Sequence, residues 1–166
     1  MVDSDAGPEG QSRPPTLEDL LHLCRELNRN GANYIVIGGM AMIHLGFTRA
    51  TEDIDLLIDP SPENQAKIRQ ALMTLPDQAV REMAAGDIDD YQVVRVADEI
   101  VIDLMKSACG IAYPEAAGGI AWATVEEVPI PFASAGLLWK LKQAPRAKDE
   151  IDRSFLRALL GIIEDS

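Results

Sequence analysis

The sequence predicts an α/β fold: a mixed β-sheet flanked by helices, with the C-terminal helices packed on the core. Three observations carry this. Apolar residues recur at helical spacing near both ends, as Leu17, Leu20, Leu21, Cys24 and Leu27, and again as Ile151, Phe155, Leu159 and Ile162. Short β-rich runs lie between them, the clearest being Tyr34–Ile37, Asp53–Ile58, Tyr91–Val96 and Ile100–Met105. The last two are separated by Asp98-Glu99, which reads as a hairpin turn. Hairpin-linked and helix-linked strands together imply a mixed sheet with helices on one side.

The elements follow in order. Met1 to Pro15 is rich in Gly, Pro, Ser and acids and reads as a disordered tail, leaving 16–166 as one domain. Thr16 caps the first helix, with Asp19 in a capping-box position, and Asn30-Gly31 ends it. Gly38-Gly39 follows the Tyr34 run at once, and Met40 to Leu45 reads as a short helix. After the Asp53 strand, Pro60 stops the chain. Ser61 then caps a helix that has Pro62 at its first position and runs to about Met73. Ala79 to Met83 reads as a strand and Ala84 to Asp90 as a turn. Ser107 to Gly119 reads as a loop with room for a helical turn. Trp122 to Pro131 is expected to contain an edge strand, because Pro129 and Pro131 cannot donate to a ladder. Ala135 to Gln143 is helical, Pro145 breaks that helix, and Ala147 to Glu164 forms the last one.

Composition narrows the function. The 166 residues carry a net charge of -12, which disfavours non-specific binding to nucleic acid and favours cationic partners. No run approaches the ~20 apolar residues that span a bilayer, and the acidic N-terminus lacks a signal-peptide core, so a cytoplasmic location is expected. Two cysteines, Cys24 and Cys109, make no disulfide framework, and two histidines make no His-rich metal site. Any metal is therefore expected to be oxygen-bound. The segment from Ala133 to Arg157 is locally basic and reads as a solvated helix face with pairs such as Asp149 to Arg153. His44, on an apolar helix, reads as a packed histidine.

Three acids stand out against these features. Asp53 and Asp55 alternate with Ile54 and Leu56, which puts both carboxylates on one strand face. Like charges so close call for a cation between them, and a hard divalent ion such as magnesium takes oxygen ligands. Asp103 interrupts the apolar run Ile100–Met105, where an unpaired acid is costly to bury. If its strand neighbours that of Asp53, three carboxylates share one site, and two ions held there can clamp an in-line phosphoryl displacement. Gly38-Gly39, between a buried strand and a helix start, lets backbone N–H groups approach an anion.

Ile37-Gly38-Gly39, a spacer of 13 residues from Met40 to Glu52, and Asp53-Ile54-Asp55-Leu56 resemble the signature of the polymerase-β-like nucleotidyltransferase superfamily. Val101-Ile102-Asp103-Leu104 is similar to that family's third carboxylate motif. Arg49-Ala50-Thr51-Glu52, and Arg146-Ala147-Lys148-Asp149 with Asp152, look like the small bacterial members related to abortive-infection and toxin–antitoxin systems. The resemblance covers roughly Leu17 to Leu160 and implies the nucleotidyltransferase fold. It also implies that Gly38 and Gly39 bind the triphosphate of a nucleoside triphosphate. Asp53, Asp55 and Asp103 would hold magnesium, with two ions expected, and Asp103 would help activate the acceptor hydroxyl. Arg49, Lys140 and Lys148 are candidates for phosphate contact.

The implied reaction moves a nucleoside monophosphate from a nucleoside triphosphate to a hydroxyl and releases pyrophosphate. The acceptor is left open between a tRNA end, a protein side chain and a small molecule; the acidic surface suits a cationic small molecule best. A protein partner is expected, either an antitoxin or a second copy of the chain. The alternative is a catalytically silent module that keeps the fold for binding or regulation, for example within a toxin–antitoxin pair. Loss of carboxylates would signal that alternative, and all three are present.

Overall fold

In the computed structural model of the protein, residues 11–144 and 146–161 are described, without the side chain of Lys148. The expected break at Pro145, the burial of Ile162 and the helix end at Glu164 lie outside the described residues, as do the first ten positions of the tail.

The chain runs α1 (Leu17–Arg29), β1 (Tyr34–Ile37), α2 (Gly38–His44), β2 (Asp53–Ile58), α3 (Pro62–Leu72), α4 (Asp87–Asp90), β3 (Val94–Ala97) and β4 (Val101–Met105). It continues through β5 (Ser107–Ala108), β6 (Ile111–Ala112), α5 (Tyr113–Ala116), β7 (Ile120–Val125), β8 (Val128–Ala133), α6 (Ala135–Leu141) and α7 (Ala147–Leu160). Six strands form one mixed sheet in the order β3-β4-β2-β1-β8-β7; β5 and β6 pair separately. β2 is antiparallel to β1 and parallel to β4, and β3 folds back antiparallel on β4.

Local chemistry sets the ends of these elements. Thr16 and Asp19 form the reciprocal capping box on α1, and Ser61 caps α3 with Pro62 behind it. Leu20, Leu23, Cys24 and Leu27 of α1 are buried with Ile68 and Leu72 of α3, in the same core as Ile54, Leu56, Ile102 and Leu104. Period two sends those strand residues to one side and the intervening acids to the other. Burial at this density is the main stabilising term of the fold.

Several expectations need correction. Ala79–Glu82 is a 3-10 turn, not a strand. The carboxylate of buried Asp98 accepts from the backbone N–H groups of Asp77 and Ala79, which ties that backbone into a turn. The segment expected to contain an edge strand is a hairpin: β7 is the edge strand, but the proline-bearing half, β8, lies inside the sheet. The prolines share one side of β8; there Pro129 turns its carbonyl to the Asn28 side chain, and pairing with β1 is confined to Val36 and Phe132. The tail is held at its inner end: Arg13 pairs with Asp19 and Glu99, and Ser12 bonds the Asp98 carbonyl.

The last helix is rotated from its expected setting. Ile151 and Leu159 are 61% and 49% exposed, while Asp149, Asp152 and Leu156 are buried. Apolar periodicity favours an inward Ile151. The helix instead turns two acids inward, because cations from elsewhere in the fold meet them.

Candidate active site

β2 and β4 lie side by side in parallel register, Asp55 opposite Asp103, and β3 places Arg95 opposite Asp103. Ile37, Asp55, Asp103 and Arg95 thus form one row across four strands. In-register neighbours share a face, so both central acids project together, with Asp53 two residues along β2. Carboxylate oxygens of Asp53, Asp55 and Asp103 lie within 4.8 Å of one another.

The glycine pair is fitted to this cluster. Gly38 sits at the β1–α2 junction with φ +69°, and a Cβ built there would lie 2.2 Å from Asp55 Oδ2. A Cβ on Gly39 would lie 2.4 Å from Thr51 Oγ1. Thr51 in turn donates that hydroxyl to the Asp53 carbonyl. α2 begins at Gly38 itself rather than at Met40, which brings both glycines into its first turn.

A cleft of about 410 Å³ opens over these groups, lined by Gly39, Asp53, Asp55, Arg49, Arg95 and Lys142 among others. Burial, and then the charges of Asp53 and Asp103, push the Asp55 carboxyl up to about 7; Lys142 acts the other way. A carboxyl raised by neighbouring carboxylates is short of positive charge. Three convergent oxygen donors with that deficit fit a hard divalent cation.

Behind the cleft lies a second ionic cluster. Asp152, 1% exposed, accepts from Arg49 Nη1 at 2.9 and 2.8 Å and pairs with Lys142 Nζ at 2.9 Å. Asp149, fully buried, pairs with Arg146 at 2.7 Å and Lys142 at 3.6 Å. Asp149 therefore does not pair with Arg153, which bonds Glu150 and the carbonyls of Lys142 and Ala144. Lys142, Asp149 and Asp152 of this segment form a buried network, while Lys140, Arg146 and Glu150 remain exposed. The network joins α7 to the rim of the cleft through Arg49 and Lys142.

Of the expected site residues, Asp53, Asp55, Asp103, Gly38, Gly39 and Arg49 come together. Lys140 does not: it is exposed and lines a separate hollow with Glu115 and Gly119. The side chain of Lys148 lies outside the described residues. Lys142, two positions from Lys140, takes the place at the cleft. Helical spacing around Trp139 could have separated the two lysines, since Leu138, Leu141 and Lys142 fall on one inward face. Arg95 was legible only as a polar position alternating with Val94 and Val96. His44 packs its ring on Phe132, with centroids 3.9 Å apart.

A larger hollow of about 510 Å³ adjoins the cleft across Arg49, Ala50 and Thr51. Its walls are mostly apolar, from Leu17, Leu20, Met40 and Ile43. The convergent carboxylates belong to the smaller one.

Similar folds occur in solved structures. A Thermotoga maritima protein assigned as a nucleotidyltransferase is 17% identical, with 87% of this chain and 92% of that chain covered at TM-score 0.53. The antibiotic-resistance factor ANT(2'')-Ia is 16% identical, with 87% and 85% covered at TM-score 0.55. An antigenic nucleotidyltransferase-like protein from Paracoccidioides brasiliensis is 17% identical, with 86% and 76% covered at TM-score 0.51. At these identities the likeness shows the nucleotidyltransferase fold. No curated protein matches the chain in sequence. Among the described residues no helix is long and apolar enough to cross a membrane. The model of the nucleotidyl transferase AbiEii toxin family, of type IV toxin–antitoxin systems, matches residues 23–111, more than half of the sequence, and the chain belongs to that nucleotidyltransferase family.

Proposed function

We propose that this chain transfers a nucleoside monophosphate from a nucleoside triphosphate to an acceptor hydroxyl, in a magnesium-dependent reaction that releases pyrophosphate. The observation that carries the reading is the convergence of the Asp53, Asp55 and Asp103 oxygens within 4.8 Å, against a glycine that leaves room for Asp55. These three acids would hold the metal. Bound magnesium would supply positive charge to the phosphates and to the developing charge of the transfer.

The chain's own groups do the rest. Gly38 and Gly39 leave room for the Asp55 and Thr51 side chains beside them, and the backbone at this junction would approach the triphosphate. Arg49 and Lys142 put two cations on the cleft wall for its phosphate oxygens, and Asp152 holds both in place. Asp103 would receive the acceptor's proton as the acceptor oxygen bonds to the α-phosphorus. The bond from that phosphorus to the bridging oxygen breaks, and pyrophosphate leaves with the electron pair. Little covalent chemistry falls to the protein, so positioning and charge account for the rate.

The net charge of -12 favours a cationic acceptor over a long RNA. Family membership supports an antitoxin as a protein partner. The test is incubation of the purified chain with each labelled nucleoside triphosphate, magnesium and a cell extract, followed by identification of the labelled product. Label transfer that requires magnesium and all three acids is expected. No nucleotide turnover, with no response to magnesium plus triphosphate, would favour the silent binding module.

A further inference from the structure

One cation at the cleft has no role in the transfer as described. Arg95 stands on β3 opposite Asp103, on the solvent side of the acids. Its Nε donates to Asp103 Oδ1 at 3.0 Å and its Nη2 to Asp103 Oδ2 at 2.9 Å. The same Nη2 reaches Asp53 Oδ2 at 3.3 Å. One guanidinium thus spans two of the three carboxylates proposed to hold metal, and it engages both oxygens of one of them.

The exposures of the partners differ sharply. The Arg95 side chain is 60% exposed, against 8% for Asp103 and 22% for Asp53. The acids are fixed by their strands. The arginine lies over them from solvent and can swing away without disturbing packing. A residue whose task was to hold Asp103 still while metal binds would itself be held. Three carboxylates in one hollow repel one another, and a guanidinium lying across two of them relieves that repulsion without any ion. Arginine stays charged at any working pH, so this relief ends only when the side chain moves. A divalent cation arriving at the same oxygens meets a positive group about 3 Å from them.

We propose that Arg95 is a resident counter-ion of the carboxylate cluster, which must withdraw for a divalent cation to bind and so holds down the affinity of the site for metal alone. The proposal rests on the reading that Asp53, Asp55 and Asp103 form the metal site. It makes Arg95 a regulator of occupancy and not a catalytic residue.

The test uses Mn2+ alone as probe, with free ion measured by electron paramagnetic resonance over the purified full chain. Wild type, Arg95→Gln and Arg95→Lys are compared, with Asp103→Asn as a site control. Arg95→Gln is expected to bind Mn2+ about tenfold more tightly than wild type, the gain being moderate because the arginine is solvent-exposed. Arg95→Lys keeps the charge but loses the fork, and an intermediate affinity is expected. Thermal melting gives a second readout: Arg95→Gln should melt lower than wild type without metal and gain more from Mn2+. Equal or weaker Mn2+ binding by Arg95→Gln, with Arg95→Lys no tighter than wild type, overturns the proposal and leaves Arg95 as a positioning residue for Asp103. The metal-site reading fails in a different way: wild type and both arginine variants would then show no binding that Asp103→Asn removes, and the counter-ion proposal would fall with it.

Discussion

Gly38 and Asp55 are in such close contact that a methyl group on the glycine would lie 2.2 Å from a carboxylate oxygen. Gly38 opens α2 directly after β1, and Asp55 lies in the middle of the adjacent β2, where it pairs with Ile37. The signature glycine is thus required twice, by its φ of +69° and by the acid beside it.

Gly38→Ala is accordingly expected to push Asp55 out of the cluster and abolish transfer. It should also cost about 1–2 kcal/mol of stability from the left-handed backbone and the clash. Gly31→Ala provides the control, because Gly31 has φ +72° with nothing within 4 Å of a new Cβ. It should lose a similar backbone increment and keep full activity. Turnover of labelled triphosphate and urea unfolding of both variants check this; full activity in Gly38→Ala would remove the close-approach argument.

Replacing the acids should separate their roles. Asp53→Asn and Asp103→Asn are expected to abolish transfer and the rise in melting temperature caused by magnesium. Each relieves repulsion but also weakens a contact with Arg95, so their metal-free stability should change little. Asp55→Asn should differ. Asp55 repels both neighbours, and its carboxyl is already raised. Its neutral analogue is expected to be more stable without metal at pH 8, by about 1 kcal/mol. Melting curves with and without magnesium distinguish the three.

The same group sets a pH dependence. The folded chain keeps the Asp55 proton up to about pH 7, whereas the unfolded chain releases it near 3.8. The stabilisation from this proton is complete below the unfolded value and is lost as pH rises through the folded one. The stability of metal-free wild type relative to Asp55→Asn should therefore fall between about pH 4 and pH 7. Magnesium needs the charged form, so its affinity should rise over that interval, with release of a proton. A flat difference between the two proteins across that range would contradict the assignment.

The buried network behind the cleft predicts a larger loss. Asp152→Ala leaves Arg49 and Lys142 without their shared carboxylate, and removing one side of a buried ion pair costs about 3 kcal/mol or more. Arg146→Ala removes a side chain that is 61% exposed, although its partner Asp149 is buried, and a smaller loss is expected. Chemical denaturation of the two variants gives the comparison. Equal losses would mean that Asp152 is not the centre of the network.

Two neighbouring lysines should behave differently. Lys142→Ala should lower turnover at least tenfold, because Lys142 lines the cleft. Lys140→Ala should leave it unchanged, because that side chain faces another hollow. Steady-state rates for both decide which lysine the reaction uses.

Much of the fold was legible because local signals carried it. The Thr16 and Ser61 caps, the Asp53–Ile58 alternation and the apolar face of α1 each follow from a short stretch of chain. The three acids were legible for the same reason: a charge amid β-branched residues declares its strand face and its cost. Asp98 was not, since its carboxylate turns residues 77–79 by bonds that cross some 20 positions.

What the sequence determined by itself is the alternation and spacing of these residues: which acids share a face, where the glycines break the chain, and where helices start. Tertiary structure alone decided the rest. Parallel pairing of β2 with β4 set Asp103 beside Asp55, and the β3 hairpin laid Arg95 across Asp103 and Asp53. The setting of α7 depended on Arg49, a hundred residues away, because a buried carboxylate is tolerated only where a distant part of the chain brings it a cation. Period and propensity are properties of neighbours along the chain. Charge compensation belongs to neighbours in space, and the Ile151 face turned outward when it prevailed.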